Sequence, residues 1–306
     1  GGSTIIYASR THSQLSQVVK ELKSTGYRPR LSLLGSRDQL CVHETVSQLQ
    51  GTALNHACQG KVSHRKCGYH IGTEELVGSG MDGIIADVEE LSLRGRKERF
   101  CPYYLGRGGV SQADLVLMPY NYLLDPSVRQ GIKANWRNAV VIFDEAHNLE
   151  STARESASFE LTGTDLAGAV AELTKCYDTS VEEDRGEEGG AKRDNLLLLK
   201  RALLGLEDAI GAVNLPTKEG QTFAGNAVFS LLESADITFD NVRLWLDRLQ
   251  EASDLVQEKR PIGAAAPVRL DAVTKAIKVA FRGGNLSREE CYKYSQMYKT
   301  HVMLTP

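Results

Sequence analysis

The sequence predicts an α/β chain, with a parallel β-sheet in its first half, a cysteine-bearing insert within that sheet region, and a mostly helical second half. Three observations carry this reading. The first 35 residues run strand, helix, strand. A strongly apolar strand, Ala139–Phe143, ends directly in two carboxylates. Beyond about residue 160 the apolar residues recur at helical spacing.

Ile5-Ile6-Tyr7-Ala8 is a short apolar run of the kind a buried strand needs. Leu15, Val18, Val19 and Leu22 follow at i, i+3, i+4, i+7 and form one helix face that stops at Gly26, and Leu31–Leu34 is a second strand. A strand, helix and strand in this order make a βαβ unit, hence a parallel sheet. Residues 36–110 lose the long apolar period and are expected to bury little surface by themselves. The sheet pattern returns at Asp114–Met118, a short helix is expected over Tyr120–Leu124, and Ala139–Phe143 reads as a third strong strand, buried in the sheet.

The second half reads as helices. Leu161, Leu166, Val170 and Leu173 fit one; Leu196, Leu199, Leu203, Leu206, Ile210 and Val213 a longer one; Val242, Trp245, Leu249 and Val256 a third; Leu270, Val273, Ile277 and Phe281 a fourth. Ser287 followed by Glu290 has capping-box spacing and predicts a fifth. Glu182–Gly190, rich in acids and glycines, reads as a solvated mobile loop.

Of 306 residues, 36 are basic and 39 acidic, a net charge of −3, with 42% hydrophobic residues. These are globular values, which exclude a disordered tail, a collagen-like repeat and a coiled-coil rod. The longest apolar runs, such as Ala139–Phe143, fall far short of the ~20 residues of a membrane-spanning helix. The opening Gly-Gly-Ser has neither an initiator Met nor a signal-peptide pattern, and the chain is expected to be a piece of a longer protein. Charge is unevenly spread: residues 1–137 hold 17 basic and 12 acidic residues, a net of +5, so the front half is the better candidate to meet a polyanion.

Val140–His147 has the form of a Walker B strand. A strand in a parallel sheet delivers its last residues to the carboxyl edge, where ligands bind. There Asp144 can hold Mg²⁺ against nucleotide phosphates, Glu145 can orient or deprotonate the attacking water, and His147 can sense the nucleotide. The complementary Gly-x-x-x-x-Gly-Lys-Ser/Thr loop is missing; Gly60-Lys61 is the nearest approach. The phosphate cradle is therefore expected upstream of Gly1.

Cys41, Cys58, Cys67 and Cys101 are spaced 17, 9 and 34 residues apart, with no Cys-x-x-Cys knuckle. Wide spacing suits a cubane iron–sulfur cluster. Zinc remains equally open, with His43, His56, His64 and His70 as further ligands. Lys61, His64, Arg65 and Lys66, then Arg94, Arg96, Lys97 and Arg99 ahead of Tyr103 and Tyr104, give a basic–aromatic pattern suited to single-stranded nucleic acid. The runner-up function is a non-catalytic module binding zinc and nucleic acid; a pure interaction scaffold would have no use for Asp144 and Glu145.

Several segments together resemble the iron–sulfur superfamily-two DNA helicases related to xeroderma pigmentosum group D, in particular their telomere-maintaining branch. Tyr7–Leu15 is similar to their motif Ia. Gly35–Cys41 resembles the entry to the cluster domain and Cys101–Tyr104 its exit. Met118–Leu124 and Val141–Asn148 resemble the return to the first helicase domain and its DEAH box. The resemblance implies a RecA-like parallel sheet, a partial first helicase domain over residues 1–35 and 111–160. It implies a 4Fe-4S domain over 36–110 and a helical Arch over 161–306. It further implies a cluster on Cys41, Cys58, Cys67 and Cys101, and Mg-ATP at Asp144 with Glu145 and His147 catalytic. Ser9, Arg10 and Thr11 would lie near the DNA backbone, and Arg37 near both cluster and strand. The implied activity is ATP-driven 5′-to-3′ movement on single-stranded DNA and DNA junctions in the nucleus, with protein partners through the Arch and no membrane. Without a phosphate loop or a second helicase domain, residues 1–306 alone are expected not to hydrolyse ATP.

Overall fold

In the computed structural model, residues 3–78, 84–183, 187–217, 219–260 and 268–303 are described. Strand β1 (Thr4–Ser9) leads into helix α1 (His12–Ser24) and β2 (Leu31–Leu33). Among the described residues the insert follows with five α-helices: α2 (Arg37–Leu40), α3 (Gly51–Ser63), α4 (Gly68–Gly78), α5 (Val88–Glu98) and α6 (Pro102–Gly109). The chain then returns through β3 (Leu115–Pro119), α7 (Asn121–Leu124), α8 (Pro126–Gln130), β4 (Ala139–Phe143) and α9 (Leu149–Ser156). The four strands form one parallel sheet in the order β2-β3-β1-β4, with Tyr7 level with Leu117 on one side and Ile142 on the other.

Strand alternation sorts the sheet side chains onto two covered faces. Ile6, Ala8, Val116 and Met118 pack against Tyr120, Leu123 and Ile132. Leu33 and Leu117 face Leu15 and Val19 of α1, together with Leu91, Phe100 and Leu105 from the insert. The insert thus buries more than its sequence predicts. It contributes to the sheet's core and has two small clusters of its own, around Leu40, Val42 and Tyr103 and around Val46 and Leu54. Its anchor is a close approach: a Cβ on Gly106 would lie 2.2 Å from the Leu33 carbonyl oxygen, so only glycine lets α6 lie against the β2 edge. Ser32 Oγ fixes that contact by donating to the Gly106 carbonyl at 2.6 Å.

One expectation needs correction. The Ala139–Phe143 strand is not buried. It pairs with β1 alone and forms the sheet's edge, leaving Val140, Val141 and Ile142 exposed at 52%, 40% and 42%. An apolar run reports that a strand can be covered, and among the described residues no second neighbour covers this one.

The chain divides into two compact units, Gly1–Ala157 and Ser158–Pro306. The second contains α10 (Gly163–Glu183), α11 (Glu187–Gly211), β5 (Gln221–Ala224), α12 (Ala227–Glu233), α13 (Val242–Glu258), α14 (Leu270–Ala280), α15 (Arg288–Ser295) and β6 (Lys299–Val302), with β5 and β6 antiparallel. Leu166, Leu173, Leu199, Leu203, Trp245, Leu249, Val273 and Ile277 share one core, as their periodicity predicts. Leu161 precedes α10 and Val213 lies past α11. The Ser287 cap forms, with Glu290 N–H donating to its hydroxyl. The acid-rich run 182–190 is not one loop: α10 extends to Glu183 and α11 starts at Glu187, in keeping with the high helix propensity of Glu. Residues 184–186 lie outside the described set.

Candidate functional site

The carboxyl end of β4 lies beside the carboxyl end of β1, and Asp144 N–H continues the ladder by donating to the Ala8 carbonyl at 2.9 Å. This brings Asp144-Glu145-Ala146-His147 against Ser9-Arg10-Thr11. Asp144 is half-buried, while Glu145 and His147 are exposed. Beneath them the Tyr7 phenol is held above its ordinary pKa, first by burial and then by the Asp144 carboxylate. Glu145 has φ 49°, a left-handed backbone that non-glycine residues adopt at a cost and that marks functional turns.

Two bridges join the segments. Gln14 Nε2 donates to Glu145 Oε2 at 3.0 Å. The same amide's Oε1 accepts from Ser9 Oγ at 2.7 Å, from Thr11 N–H at 3.0 Å and from Thr11 Oγ1 at 3.1 Å. Arg10 donates to Asn148 Oδ1 at 3.3 Å, and Asn148 Nδ2 donates to His147 Nε2 at 2.7 Å. Arg10 and Thr11 are exposed, but Ser9 is fully buried with its hydroxyl turned onto Gln14. Direct contact with a strand is thus open to Arg10 and Thr11, and Ser9 can act only through Gln14.

The four cysteines line one cavity. Cys41 ends α2, Cys58 lies within α3, Cys67 precedes α4 and Cys101 caps α6; Val42, His43 and Tyr69 complete much of the wall. Burial pushes the Cys41 thiol up and the Cys101 thiol up to about 12, with the neighbouring cysteines adding to both shifts. Burial thus favours the neutral thiol at Cys41 and Cys101; a bound metal would supply the charge that makes such ligands thiolates. Of the four candidate histidines only His43 reaches the cavity wall. His64 Nδ1 lies 2.7 Å from the Gly60 carbonyl at the end of α3, and His70 meets the Tyr104 ring edge-on at 4.4 Å. Among the described residues no three His, Cys, Asp or Glu side chains converge tightly enough to grip a single ion.

Arg37 stands at the head of α2 beside this cavity. Its guanidinium lies 4.3 Å from the Tyr103 ring centre and donates to Asn55 Oδ1 at 3.1 Å and to Tyr104 Oη at 3.4 Å, while its Nε is buried without a partner. Arg107 stacks on the same Tyr103 ring at 4.8 Å. Tyr103 is 7% exposed, so it positions these arginines and is closed to bases. In the basic run, Arg94 is tied to Glu98 and Arg99 to Glu44, while the exposed Arg96 and Lys97 have no carboxylate partner among the described residues.

Residues 7–166 match the family model DEAD_2, more than half of the chain, and residues 168–306 match that of the "RTEL1 helicase, ARCH domain". The chain belongs to the DEAD_2 helicase family. It is XPD-like and close to the regulator of telomere elongation helicase. It is 38% identical over 304 residues to the regulator of telomere elongation helicase 1 homolog of Oryza sativa subsp. japonica, covering 95% of this chain and 30% of that protein. It is 41% identical over 263 residues to regulator of telomere elongation helicase 1 of Homo sapiens, covering 81% of this chain and 22% of that one. The chain thus spans under a third of these relatives. Among solved structures, "XPD_Helicase" shares the fold with a TM-score of 0.52 at 16% identity, over 92% of this chain and 44% of that one.

For a DEAD_2 chain the two bridges are the main site feature that sequence reading misses. Thr11-x-x-Gln14 has capping-box spacing, and the box forms at the head of α1. That signal accounts for the Oε1 contacts of Gln14. Its other end meets a residue 131 positions away, which no local pattern announces.

Proposed function

We propose that residues 1–306 form the motif Ia-to-DEAH, cluster and Arch portion of an ATP-dependent 5′-to-3′ DNA helicase of telomere and genome maintenance, acting in the nucleus on single strands and DNA junctions. The observation that carries this reading is the Gln14 bridge. It links the exposed Arg10–Thr11 segment, suited to a strand backbone, to the carboxylate suited to activating water. In this reading Asp144 would hold Mg²⁺, which would supply charge at the nucleotide phosphates; Glu145 orients the attacking water and accepts its proton, and His147, tied through Asn148 to Arg10, passes the nucleotide's state to the strand. A phosphate on Thr11 would compete for the donors that now hold Gln14, so strand contact is felt at Glu145. The open side of β4 supports pairing with a further strand, whose phosphate loop would face Asp144.

The donor set supports a 4Fe-4S cluster in the cysteine cavity. Four thiols surround it, and three of the four candidate histidines lie outside it. Bound there, the group would supply a rigid cross-link between α2, α3, α4 and α6. Arg37, which has no carboxylate partner among the described residues, is suited to a strand phosphate beside that cross-link. Protein partners are proposed to use the Arch.

Phosphate release driven by single-stranded DNA tests the reading. Residues 1–306 alone should show none. In a longer chain that adds the phosphate loop and second helicase domain, Glu145→Gln should retain ATP binding and abolish turnover, because it removes the base and keeps the shape. Full turnover by that variant removes Glu145 from the mechanism.

A further inference from the structure

Glu44, Tyr69 and Arg99 meet in one network, and each lies two or three positions from a different cavity cysteine: Glu44 from Cys41, Tyr69 from Cys67 and Arg99 from Cys101. Tyr69 Oη donates to Glu44 Oε1 at 2.7 Å and accepts from Arg99 Nη1 at 3.2 Å, and Arg99 also pairs with Glu44 at 3.5 Å. The Arg99 guanidinium lies 5.5 Å from the Tyr69 ring centre. A second connection runs through the buried Thr73. Its hydroxyl accepts from Cys101 N–H at 2.7 Å and donates to the Tyr69 carbonyl at 2.8 Å. The backbone holds Arg99 in place. Its φ is 62°, and its carbonyl comes so close to Gly72 of α4 that a Cβ there would lie 2.2 Å away. Tyr69 is the hub: its ring lines the cavity at 7% exposure, and its hydroxyl is committed to Glu44 and Arg99.

We propose that Tyr69, Glu44 and Arg99 form a clamp that holds the Cys41, Cys67 and Cys101 segments together around a bound metal group and sets how fast that group is lost. The inference rests on the cysteine cavity being a metal site, and it applies to iron and zinc alike. The three are positioning residues, acting through the segments that carry the thiols. A group held by several segments leaves only as those segments separate, and partners that orient metal ligands commonly change metal affinity by about 10–100-fold. The Glu44 and Arg99 side chains are 64% and 73% exposed, so the effect belongs at or below the low end of that range. Exposure also gives the clamp a signature. Salt screens the Arg99–Glu44 pair, whereas it does not screen the apolar packing of Leu40, Val42 and Tyr103 around the same cavity.

The test is release of iron, or of zinc where the chain carries zinc, to a chelator from anaerobically purified residues 1–306, at about 0.1 M and about 1 M sodium chloride. Tyr69→Phe keeps the ring at the cavity wall and removes the hydroxyl; it should release metal about three- to tenfold faster than wild type at the lower salt. Wild-type release should quicken at the higher salt. Glu44→Gln should be fast at both, because the screened pair is gone, and Arg99→Lys, which keeps the charge, should retain most of the salt dependence. Lys23→Ala removes another exposed ion pair, that between α1 and Glu90 of the insert, and should leave release unchanged. Equal acceleration by Lys23→Ala and Tyr69→Phe indicates general weakening and overturns the clamp, as does wild-type release from a loaded Tyr69→Phe chain. Should Tyr69→Phe fail to load, the exposed Glu44→Gln decides: wild-type salt dependence in that variant overturns the clamp. A wild-type chain that holds neither iron nor zinc overturns the metal-site reading, and this inference with it.

Discussion

Gln14→Glu isolates the bridge to Glu145 from the cap on α1. Gln14 has two contacts in one side chain: Oε1 closes the capping box, and Nε2 meets Glu145 Oε2 at 3.0 Å. Glu serves the N3 position of a capping box as well as Gln, so the substitution keeps the first contact. It replaces the second with two facing carboxylates. At ~4 Å, like charges repel by about 1 kcal/mol in water and about 4 kcal/mol at an effective dielectric of 20. Glu145 is exposed, so the lower figure applies: a loss of about 1 kcal/mol near pH 7, or about 2–4 °C in melting temperature. The crowded pair has carboxylate pKa values raised in the folded state above the unfolded ones. The penalty is therefore full well above about pH 5 and disappears as pH falls below about 4. Gln14→Ala removes the cap and the shortest contact of the buried Ser9 hydroxyl, leaving it the longer bond to the Thr11 carbonyl at 3.3 Å, and costs about 1 kcal/mol at either pH. Thermal melts followed by circular dichroism at neutral and acid pH distinguish these. Wild-type stability for Gln14→Glu near pH 7, or a deficit that persists in acid, refutes the bridge.

Three further outcomes are expected. Gly106→Ala should destabilise the first unit by about 1–3 kcal/mol in a denaturant titration, because the new methyl meets the Leu33 carbonyl oxygen rather than a movable side chain. The Arg30 guanidinium holds the Asp114 carboxyl down at about 2, so this pair's contribution is present above about pH 4 and is lost as pH falls through about 2; since both partners are half exposed, Arg30→Ala should cost under ~1 kcal/mol in a neutral melt and narrow the acid-unfolding difference. Arg37→Ala should weaken binding to single-stranded DNA while iron content stays constant, since Arg37 stands beside the cavity without lining it.

Much of the fold is legible because the residues that form it are periodic. Ile5–Ala8 and Leu115–Met118 become paired strands, and the leucines of α10 and α11 fall on the faces their spacing predicts. What periodicity leaves out is the identity of the neighbour. Val140–Ile142 read as buried because they are apolar, yet burial depends on a strand that the described residues do not contain. The insert is harder still to read. In α3 only Ala53, Leu54 and Cys58 are buried, amid glycines and polar residues, so no helical stripe stands out. Strands β5 and β6 are four residues each and mostly polar, below what an alternating pattern can report. At the candidate site, the clustering of four cysteines and the carboxylates after an apolar strand are local signals. Their relation to Gln14, Asn148 and Tyr69 arises only when distant segments meet at the sheet edge and cavity wall.

The most direct measurement is metal analysis with visible absorption on anaerobically purified residues 1–306. The four-thiol cavity predicts a brown protein with about four irons per chain, and Cys101→Ser should bleach it and open the insert to protease. A colourless protein with one zinc per chain would contradict the cluster reading of Cys41, Cys58, Cys67 and Cys101.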